Sequence, residues 1–408
     1  MQHIIIVGSG IIGLTSAYQA IKRGYRVTML ESKDGPALGA SYQNGGQLSY
    51  SHAVAVSHAA NWCNFIKATS SSQSVIEFSW LELFKKISWF KALYKSKKYA
   101  DNKSFFAFSS FSKDEFSKLK DELKYEGVNN CGTLHLFRNK RSLASFIKLV
   151  SSQDNHKYKK IESSSLGEYC KNINEDEFSG GVFFPGDQSG DARVFSKKIF
   201  THLDKQKHFS FYKNSEVKNI VTKAGIVTNI LLESGAELVA DKYIISAGSY
   251  SSKLIEKLNL TSPIIPVKGY STNLQNIALS TALIDSDVRM VYTNLGGAVR
   301  VAGLYDFHGF KQGLTKGREK VFDKSLNSLF KVDVTVGREK LWHGFRAVSQ
   351  DGFPVIGKSQ LFSNLYYNIG HANLGWTLSA GSAKILIEEI AEKDNKDFGF
   401  LRANRFKI

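Results

Sequence analysis

The stretch HIIIVGSGIIGLTSAYQAIKRGYRVTMLES, residues 3–32, decides the fold of this protein. It opens with a short apolar run rich in β-branched residues, which is typical of a strand buried in a parallel sheet. Gly8, Gly10 and Gly13 follow at the spacing GxGxxG, and apolar residues at helical spacing come next. A second apolar run, YRVTML, predicts another strand. The order strand, glycine turn, helix and strand predicts a Rossmann-type α/β unit.

The residues of this unit have defined roles at a dinucleotide. Gly8 allows the tight turn, Gly10 lets a pyrophosphate approach the backbone, and Gly13 lets the helix pack on the sheet. The helix N-terminus offers free N–H groups to phosphates. Glu31 follows the second strand and is placed to accept the hydroxyl groups of a ribose, which disfavours NADP. The small polar loop 39–51 comes where NAD dehydrogenases usually continue into a helix, and it favours a cofactor with a flat ring.

Composition limits the class of protein. The chain has 408 residues, which is enough for two domains, and 42% of them are hydrophobic, as in a folded protein. The formal net charge is +17. Lysines outnumber arginines and are spread along the chain, so we expect a solvated cationic surface and no nucleic-acid partner. A diffuse positive field also favours contact with an anionic membrane surface.

The cysteines and the hydropathy pattern point to a cellular location. Cys63, Cys131 and Cys170 are odd in number and widely spaced, which argues against a disulfide framework and against a metal site. The N-terminus lacks the basic region of a secretory signal, and no apolar run is long enough for a transmembrane helix. We therefore predict a cytoplasmic protein, with peripheral contact at the inner face of the cytoplasmic membrane as a further expectation.

The chain resembles the D-amino acid dehydrogenases, bacterial flavoproteins of the broader D-amino acid oxidase and glycine oxidase superfamily. The segments that carry the resemblance occur in the same order through most of the chain. They are VGSGIIGLTSAY (7–18), GPALGASYQNGGQLS (35–49), GTLHLFR (132–138), GGVFFPGDQSGDARVF (180–195), PVKGYS (266–271), GGAVRVAGLYDFHGF (296–310), GFRAVSQDGFPVIG (344–357) and NLYYNIGHANLGWTLSAGS (364–382).

The resemblance implies an α/β protein of two discontinuous domains, with a D-amino acid oxidase-like fold. One domain binds FAD in a Rossmann-type fold and the other is a mixed-sheet substrate domain. The predicted FAD-binding domain comprises 1–58, 180–258 and 342–408, and the substrate domain comprises 59–179 and 259–341. Residues 215–248 themselves predict strands with a hairpin, and the region from about 60 to 175 is interpreted as helices and loops. FAD is expected to bind noncovalently, because covalent attachment in the related sarcosine oxidases uses a C-terminal cysteine and none occurs after Cys170.

The resemblance also implies which residues hold the cofactor. The glycine-flanked turn in residues 370–377 enters a helix predicted to begin near Trp376, and the backbone N–H groups at that N-terminus are expected to support negative charge at the flavin pyrimidine edge. Family members more often have glycine and threonine or serine where this chain has Ala372 and Asn373. The predicted cofactor-binding residues are Gly8, Gly10, Ile11, Ile12, Gly13, Glu31, Ser32, Ser41, Asn44, Gly45, Gly46, Gln47, Val217, Ala247, Gly248, Gly370, Asn373, Leu374, Gly375, Trp376 and Thr377.

Arg346 is the strongest candidate for a catalytic residue. It stands in the apolar stretch LWHGFRAVSQDGFPVIG, where a guanidinium needs an anionic partner. The resemblance implies that this partner is the carboxylate of the substrate, held by a bidentate pair. The alternative is an internal ion pair between Arg346 and Asp351.

Three further residues are candidates for substrate binding, and one of them, Tyr270, is also a candidate catalytic residue. Tyr270 is predicted to donate a hydrogen bond to the substrate carboxylate, with an edge-strand tyrosine as the equal alternative. Gln47 is expected to line the pocket near flavin N5. His371 is either a general base or a structural hydrogen-bonding residue, and we favour the structural role because hydride abstraction needs no strong base.

Residues 80–103 combine lysines with apolar residues near helical spacing, at Leu83, Ile87, Phe90 and Tyr94. The favoured interpretation is a substrate-domain helix packed on its own core. The alternative is an interfacial helix that docks on an anionic membrane. His52 and His58 lack an evident third ligand and are not interpreted as metal ligands.

These observations predict an FAD-dependent D-amino acid dehydrogenase. Hydride passes from Cα to flavin N5, the imino acid hydrolyses to a 2-oxo acid and ammonium, and the electrons go to a quinone or another respiratory acceptor. The main alternative is an oxidase of glycine, sarcosine or proline-like amines that uses O2. Two further alternatives are a basic flavoprotein acting on RNA and a flavin-binding subunit without turnover.

Overall fold

The computed structural model describes residues 1–51, 74–96, 102–151, 157–331, 334–337, 340–393 and 396–408. Within them the helices are α1 (Ile11–Lys22), α2 (Trp80–Lys85), α3 (Ile87–Ser96), α4 (Asn102–Glu122), α5 (Lys140–Ser151), α6 (Ala192–Leu203), α7 (Ser251–Lys257), α8 (Arg318–Leu329) and α9 (Gly375–Ile390). Short 3-10 segments are Ser163–Glu168, Glu175–Glu177, Gly248–Tyr250, Lys396–Leu401 and Ala403–Arg405.

The strands are β1 (His3–Val7), β2 (Arg26–Leu30), β3 (Gln47–Leu48), β4 (Ile76–Phe78), β5 (Val128–Asn129), β6 (Thr133–Phe137), β7 (Lys159–Ile161), β8 (Gly180–Phe184), β9 (Gln188–Gly190), β10 (Phe209–Tyr212), β11 (Val217–Lys223), β12 (Ile226–Leu232), β13 (Glu237–Leu238), β14 (Lys242–Ile245), β15 (Ile264–Leu274), β16 (Ala282–Asp285), β17 (Met290–Asn294), β18 (Val299–Phe307), β19 (Trp342–Ser349), β20 (Val355–Lys358) and β21 (Leu365–Ile369).

The glycine-turn unit lies in a six-stranded sheet with the order β10-β2-β1-β14-β21-β20. The first five strands are parallel and β20 is antiparallel to β21. Residues 4–6 of β1 are fully buried, because α1 and the small sheet β11-β12-β13 cover the two faces of this sheet. The Rossmann-type prediction is therefore confirmed, and so are the predicted hairpin strands before Ala247.

A second, mixed sheet follows the order β19-β15-β18-β17-β16-β6-β8-β7, and β4 pairs with β18. Two strands assigned by sequence to the FAD-binding domain, β8 and β19, pair within this nine-stranded sheet. The division into two domains stays a prediction, and its boundary at residues 58 and 59 lies outside the described part of the chain. The region from about 60 to 175 is not only helices and loops, because β4 to β7 lie there.

The two faces of the nine-stranded sheet are distinct. Successive residues of a strand point to opposite faces, so Val267, Gly269 and Ser271 of β15 share one side, which we call the inner face. Lys268 and Tyr270 point to the other side, the outer face. The outer face is covered by α8, whose Phe322, Leu326 and Leu329 are fully buried against it.

The inner face is covered at one end by α3. Trp89, Phe90 and Leu93 of α3 pack on Val267, and the Trp89 indole N–H donates to the carbonyl of Pro263 at 3.0 Å. The predicted helix in residues 80–103 is divided, because α2 ends at Lys85 and α3 begins at Ile87. Of its apolar residues, Leu83 and Phe90 pack inward, whereas Ile87 and Tyr94 are exposed.

Candidate functional site

The glycine turn between β1 and α1 has the geometry that a phosphate site requires. Gly8 has a φ of +103°, and a Cβ at this position would lie 2.7 Å from the carbonyl oxygen of Ser246 in the strand beside it. A Cβ on Gly13 would collide with the carbonyl oxygen of Gly8. At Gly10 a Cβ would meet only the Ser41 hydroxyl, at 3.6 Å, so there is open space on that side. The turn is thus closed toward the sheet and open toward a ligand.

The first turn of α1 supplies the donors for that ligand. Gly10 caps the helix without a side-chain hydrogen bond. The backbone N–H of Ile11 donates to the Ser41 hydroxyl at 3.1 Å. The N–H groups of Ile12 and Gly13 lie in the same first turn, where a helix offers no preceding carbonyl to accept from them. The N-terminus of α1 therefore combines unpaired donors with the positive end of the helix dipole.

Glu31 lies at the end of β2 and reaches back to the same turn. One carboxylate oxygen accepts from the backbone N–H and hydroxyl of Ser9 at 3.0 and 2.7 Å. The other accepts from the backbone N–H of Lys33 at 3.0 Å and from the Ser32 hydroxyl at 3.3 Å. These bonds fix an acidic group beside the phosphate-binding turn, where a ribose follows in a dinucleotide.

Val217, Ala247 and Gly248 lie at the same end of the six-stranded sheet. Val217 is buried in the cluster that contains Leu30, and the Lys257 ammonium donates to its carbonyl at 2.8 Å. Ala247 and Gly248 follow β14, and a Cβ on Gly8 would come within 2.8 Å of the Ala247 Cα. The predicted nucleotide-binding residues are therefore neighbours in space.

Loop 43–47 crosses from this turn to the inner face of the nine-stranded sheet. The Ser271 hydroxyl donates to the carbonyl of Gln43 at 3.0 Å, and the Thr293 hydroxyl donates to the carbonyl of Gly45 at 2.7 Å. A Cβ on Gly45 would lie 2.7 Å from a methyl group of Val291. A side chain larger than that of glycine would therefore be crowded at this position.

The remaining residues of this loop are held by local bonds. The side-chain oxygen of Asn44 accepts from the backbone N–H of Gly46 at 2.8 Å. Gly46 has a φ of +77°. The side-chain amide of Gln47 donates to the carbonyl of Leu283 at 3.0 Å. Gln47 is therefore fixed between the two sheets, at the edge of the space that the loop borders.

The segment 370–377 joins β21 to α9 and touches β19. The backbone N–H of Ala372 donates to the carbonyl of Ala347 at 2.8 Å. The Thr377 hydroxyl accepts from the backbone N–H of Ser49 at 3.2 Å. Helix α9 begins at Gly375 with Leu374 as its cap and no side-chain cap hydrogen bond. Gly370 and the exposed Asn373 lie in the turn before it.

Trp376 departs from its predicted role in one respect. Its side chain is fully buried and packs against Phe116 and Phe195, with ring centroids 6.1 and 6.2 Å away. The indole therefore belongs to the core around α4 and α6. The backbone of Trp376 stays in the first turn of α9, where its N–H group is available to a ligand.

His371 is a buried structural residue. One ring nitrogen, Nε2, lies 2.8 Å from the Ser382 hydroxyl, which itself donates to the carbonyl of Leu378 at 2.7 Å. Nε2 is therefore the donor in this pair. Burial lowers the pKa of His371 to about 3, so the ring is neutral near pH 7. The hydrogen-bonding role favoured by the sequence is the one that this geometry supports.

Arg346 projects from β19 onto the inner face. It pairs in register with Val267, and its guanidinium lies over Gly269, where a Cβ would collide with it. One N–H donates to the carbonyl of Leu304 at 2.9 Å, and the guanidinium carbon lies 4.5 Å from the ring centroid of Tyr305. Among the described residues, the other N–H groups of Arg346 have no hydrogen-bond partner.

The internal ion pair between Arg346 and Asp351 does not form. Asp351 accepts from Arg405 at 2.6 and 3.2 Å, and it also caps the turn by accepting from the backbone N–H of Phe353 at 3.0 Å. Among the described residues, no carboxylate lies within 4.0 Å of the Arg346 guanidinium. Within the described part of the chain, Arg346 therefore has no anionic partner on the inner face.

Tyr270 lies on the outer face, on the other side of the sheet from Arg346, and this geometry does not support its predicted contact with the substrate. Its hydroxyl donates to Asp306 at 2.6 Å and lies 3.0 Å from the Thr315 hydroxyl. The side chain is buried, and burial raises the pKa of Tyr270. The edge-strand alternative is wrong, because β15 pairs on both sides, with β18 and β19.

The residues beside Tyr270 in PVKGYS are the ones that face the site. Gly269 makes room for Arg346, and Ser271 holds the loop at Gln43. The two-residue period of a strand shows that Gly269 and Ser271 point to one face and Tyr270 to the other. The motif does not show which of the two faces points toward the site. The choice of Tyr270, one position away from Gly269 and Ser271, therefore selected a side chain on the opposite face.

Sequence reasoning also missed Arg300 and Leu304. Arg300 is buried, donates to the carbonyl of Asn44 at 2.9 Å and to the side chain of Asn273 at 2.6 Å, and so holds loop 43–47. Leu304 has a φ of +58° beside the register shift between β15 and β18. That bulge turns its carbonyl toward Arg346 and orients the guanidinium. Both residues lie in GGAVRVAGLYDFHGF, so the motif was the available signal.

The family model for DAO, FAD dependent oxidoreductase, matches residues 3–389, and the chain belongs to this family. A D-amino acid dehydrogenase of Vibrio vulnificus (strain CMCP6) is 30% identical over 413 residues, which cover 96% of this chain and 97% of that protein. A D-amino acid dehydrogenase of Allorhizobium ampelinum is 30% identical, with 98% of each chain covered. Glycine oxidase from Bacillus cereus shares the fold, with a TM-score of 0.75, 18% identity, and 97% and 96% of the two chains covered.

The chain is thus an FAD-dependent oxidoreductase, and the residues present fit FAD. The open side of Gly10 and the first turn of α1 suit the pyrophosphate, while Glu31 suits a ribose. Loop 43–47 and segment 370–375 both contact the strands around Arg346, because Ser271 of β15 bonds to Gln43 and Ala372 bonds to Ala347 of β19. These residues would hold the flavin ring beside Arg346.

Proposed function

We propose that this protein oxidises D-amino acids to 2-oxo acids and ammonium, as an FAD-dependent dehydrogenase. The observation that carries the proposal is Arg346, whose guanidinium lies on the inner face without a carboxylate partner among the described residues. A planar fork of N–H donors binds a carboxylate in a bidentate pair. The names of the dehydrogenases from Vibrio and Allorhizobium support the choice of substrate.

The residues of the chain act by position and charge. Arg346 holds the substrate carboxylate, while the Leu304 carbonyl and the Tyr305 ring hold the guanidinium in one plane. This fixes the Cα hydrogen and the neutral amine relative to the rest of the site. Bound FAD supplies the hydride acceptor. His371 is neutral and bonded to Ser382, so it keeps segment 370–375 in place instead of moving a proton.

We also propose an electron acceptor and a cellular location for the protein. The acceptor is a quinone or another member of a respiratory chain, and the protein works in the cytoplasm, at the inner face of the cytoplasmic membrane. Within the described residues, no helix combines the length and the apolar character that a membrane crossing requires. A peripheral contact is consistent with the net charge of +17.

Anaerobic flavin reduction tests the proposal. The purified yellow holoenzyme is mixed with matched D- and L-amino acids, glycine, sarcosine and proline, and the flavin absorbance is followed. Rapid bleaching by D-amino acids alone is the expected result. Bleaching mainly by glycine, sarcosine or proline, with peroxide formed in air, would replace the proposal with an amine oxidase. No bleaching by any of these amines would show that the family chemistry does not operate here.

A further inference from the structure

Helices α2 and α3 are joined by Lys86 alone, and this pair, which we call the hairpin, carries a group of exposed apolar side chains. Trp80, Leu81, Phe84, Ile87 and Tyr94, which we call the hairpin patch, are 62%, 64%, 70%, 48% and 58% exposed. Other large exposed apolar residues of the described chain, such as Val194, Val239 and Leu361, are distant from one another in sequence. A concentration of exposed apolar side chains within 15 residues marks a surface that another body covers.

The hairpin is firmly attached through its opposite side. Phe90 is 4% exposed, and the ring of Phe78, which precedes α2, stacks on Phe307 at 4.6 Å between centroids. The Trp89 indole donates to Pro263. The inward side chains of α3 therefore already form the apolar face by which an amphipathic helix packs on a protein core. The hairpin patch is a second apolar surface, directed away from the protein core.

Basic side chains accompany the hairpin patch. Lys85, Lys91 and Lys95 are exposed on the same two helices. Lys86 pairs with Glu256 of α7 at 3.5 Å, and Lys85 pairs with Glu82 at 3.1 Å. Glu82 is the one acidic residue in α2 and α3. Aromatic and aliphatic side chains next to an excess of lysines are the composition that binds an anionic bilayer surface.

We propose that the hairpin patch docks the enzyme on an anionic lipid bilayer, with α2 and α3 lying in the interface. Their lengths of 6 and 10 residues are too short to cross the hydrocarbon core. Trp80 and Tyr94 suit the headgroup level, because each joins an apolar ring to a polar group. Phe84 and Leu81 enter the acyl boundary, and the lysines contact anionic headgroups.

Docking at this surface brings the site close to the membrane. The inward side of α3 packs in one cluster with Val267, Tyr305 and Ala372. Tyr305 lies directly against the Arg346 guanidinium. The hairpin is therefore a single helical layer between the bilayer and the substrate-binding face. The inference needs the hairpin surface alone and holds whichever amine the enzyme oxidises.

Vesicle flotation of the FAD-loaded enzyme tests this proposal. Two vesicle types are used, phosphatidylcholine alone and equal parts of phosphatidylcholine and phosphatidylglycerol. The wild-type enzyme is expected to float with the anionic vesicles and much less with the neutral ones. Phe84→Asp should weaken binding to anionic vesicles about tenfold or more, because a phenyl ring that enters the bilayer is replaced by a negative charge. Val239→Asp, at an equally exposed position distant in sequence, is the matched control and should float like the wild type.

Other results would overturn the docking surface. Failure of the wild type to float with anionic vesicles, or equal flotation of Phe84→Asp, refutes it. In the first case, a concentration-dependent dimer that Phe84→Asp abolishes would identify a second copy as the occupant. A lower thermal midpoint in Phe84→Asp would instead identify another part of the same chain. Turnover of D-amino acids with a soluble dye is measured on each variant, so a failed substrate assignment is distinguished from failed docking.

Discussion

Substitution of Arg346 is the most direct test of the site. Arg346→Lys keeps the positive charge but removes the planar fork, the bond to the Leu304 carbonyl and the contact with the Tyr305 ring. Arg346→Gln removes the charge as well. Neither change touches the turn at Gly10 that is expected to hold the pyrophosphate, so both variants should retain FAD.

The magnitude follows from the contacts that are lost. A hydrogen bond to a charged group contributes about 1.5–3 kcal/mol, and Lys keeps one of the two in a bidentate pair, so Arg346→Lys should cost about 2 kcal/mol. This corresponds to a loss of about thirtyfold in kcat/KM. Loss of the whole charged pair costs roughly 4 kcal/mol. Arg346→Gln should therefore lose about a thousandfold in kcat/KM.

The assay is anaerobic flavin reduction over a series of D-amino acid concentrations. It separates the dissociation constant of the substrate from the limiting rate, and the absorbance spectrum reports flavin content. Arg405→Gln is the matched control, because that arginine pairs with Asp351. It should lower the thermal midpoint and change kcat/KM less than about threefold. A flavin-loaded Arg346→Gln enzyme with wild-type kcat/KM would refute the assignment of Arg346 to the substrate.

Three further outcomes are expected. Tyr270→Phe leaves Asp306 without its hydroxyl donor, so urea titration should show a loss of about 1–2 kcal/mol in unfolding free energy. The kcat/KM should be unchanged, and a large fall in kcat/KM would show that Tyr270 contacts the substrate. Gly13→Ala introduces a clash with the Gly8 carbonyl and should abolish FAD retention, measured by absorbance after gel filtration, whereas Gly297→Ala, where a Cβ has open space, should retain it. The pKa of His371 is lowered to about 3 in the folded state, against about 6.5 in the unfolded state, so His371 makes the unfolding free energy fall as the pH drops from about 6.5 toward 3. His371→Asn should flatten this pH dependence in urea titrations. An unchanged pH dependence would contradict the assignment.

Local sequence was sufficient for the nucleotide-binding half of the site. The spacing of Gly8, Gly10 and Gly13 and the acid at Glu31 depend on one continuous βαβ unit, so their geometry follows from neighbours in the chain. The same holds for the turn that enters α9 at Gly375. Tyr270 shows the limit of this reasoning, because its motif was informative while its direction depended on which face of β15 the rest of the protein covers.

The sequence by itself determined the Rossmann-type unit and Arg346 as a cationic group in an apolar strand, because periodicity and spacing record local geometry. The family followed from the resemblance of motifs that occur in the same order along the chain. The tertiary structure alone decided the partners of distant residues. It paired Asp351 with Arg405, and among the described residues it gave Arg346 no carboxylate partner. It also placed Ser271 and Arg300 against loop 43–47 and left one side of α2 and α3 exposed. These pairings join residues that are 54 to 256 positions apart, and such pairings leave no period in a single chain.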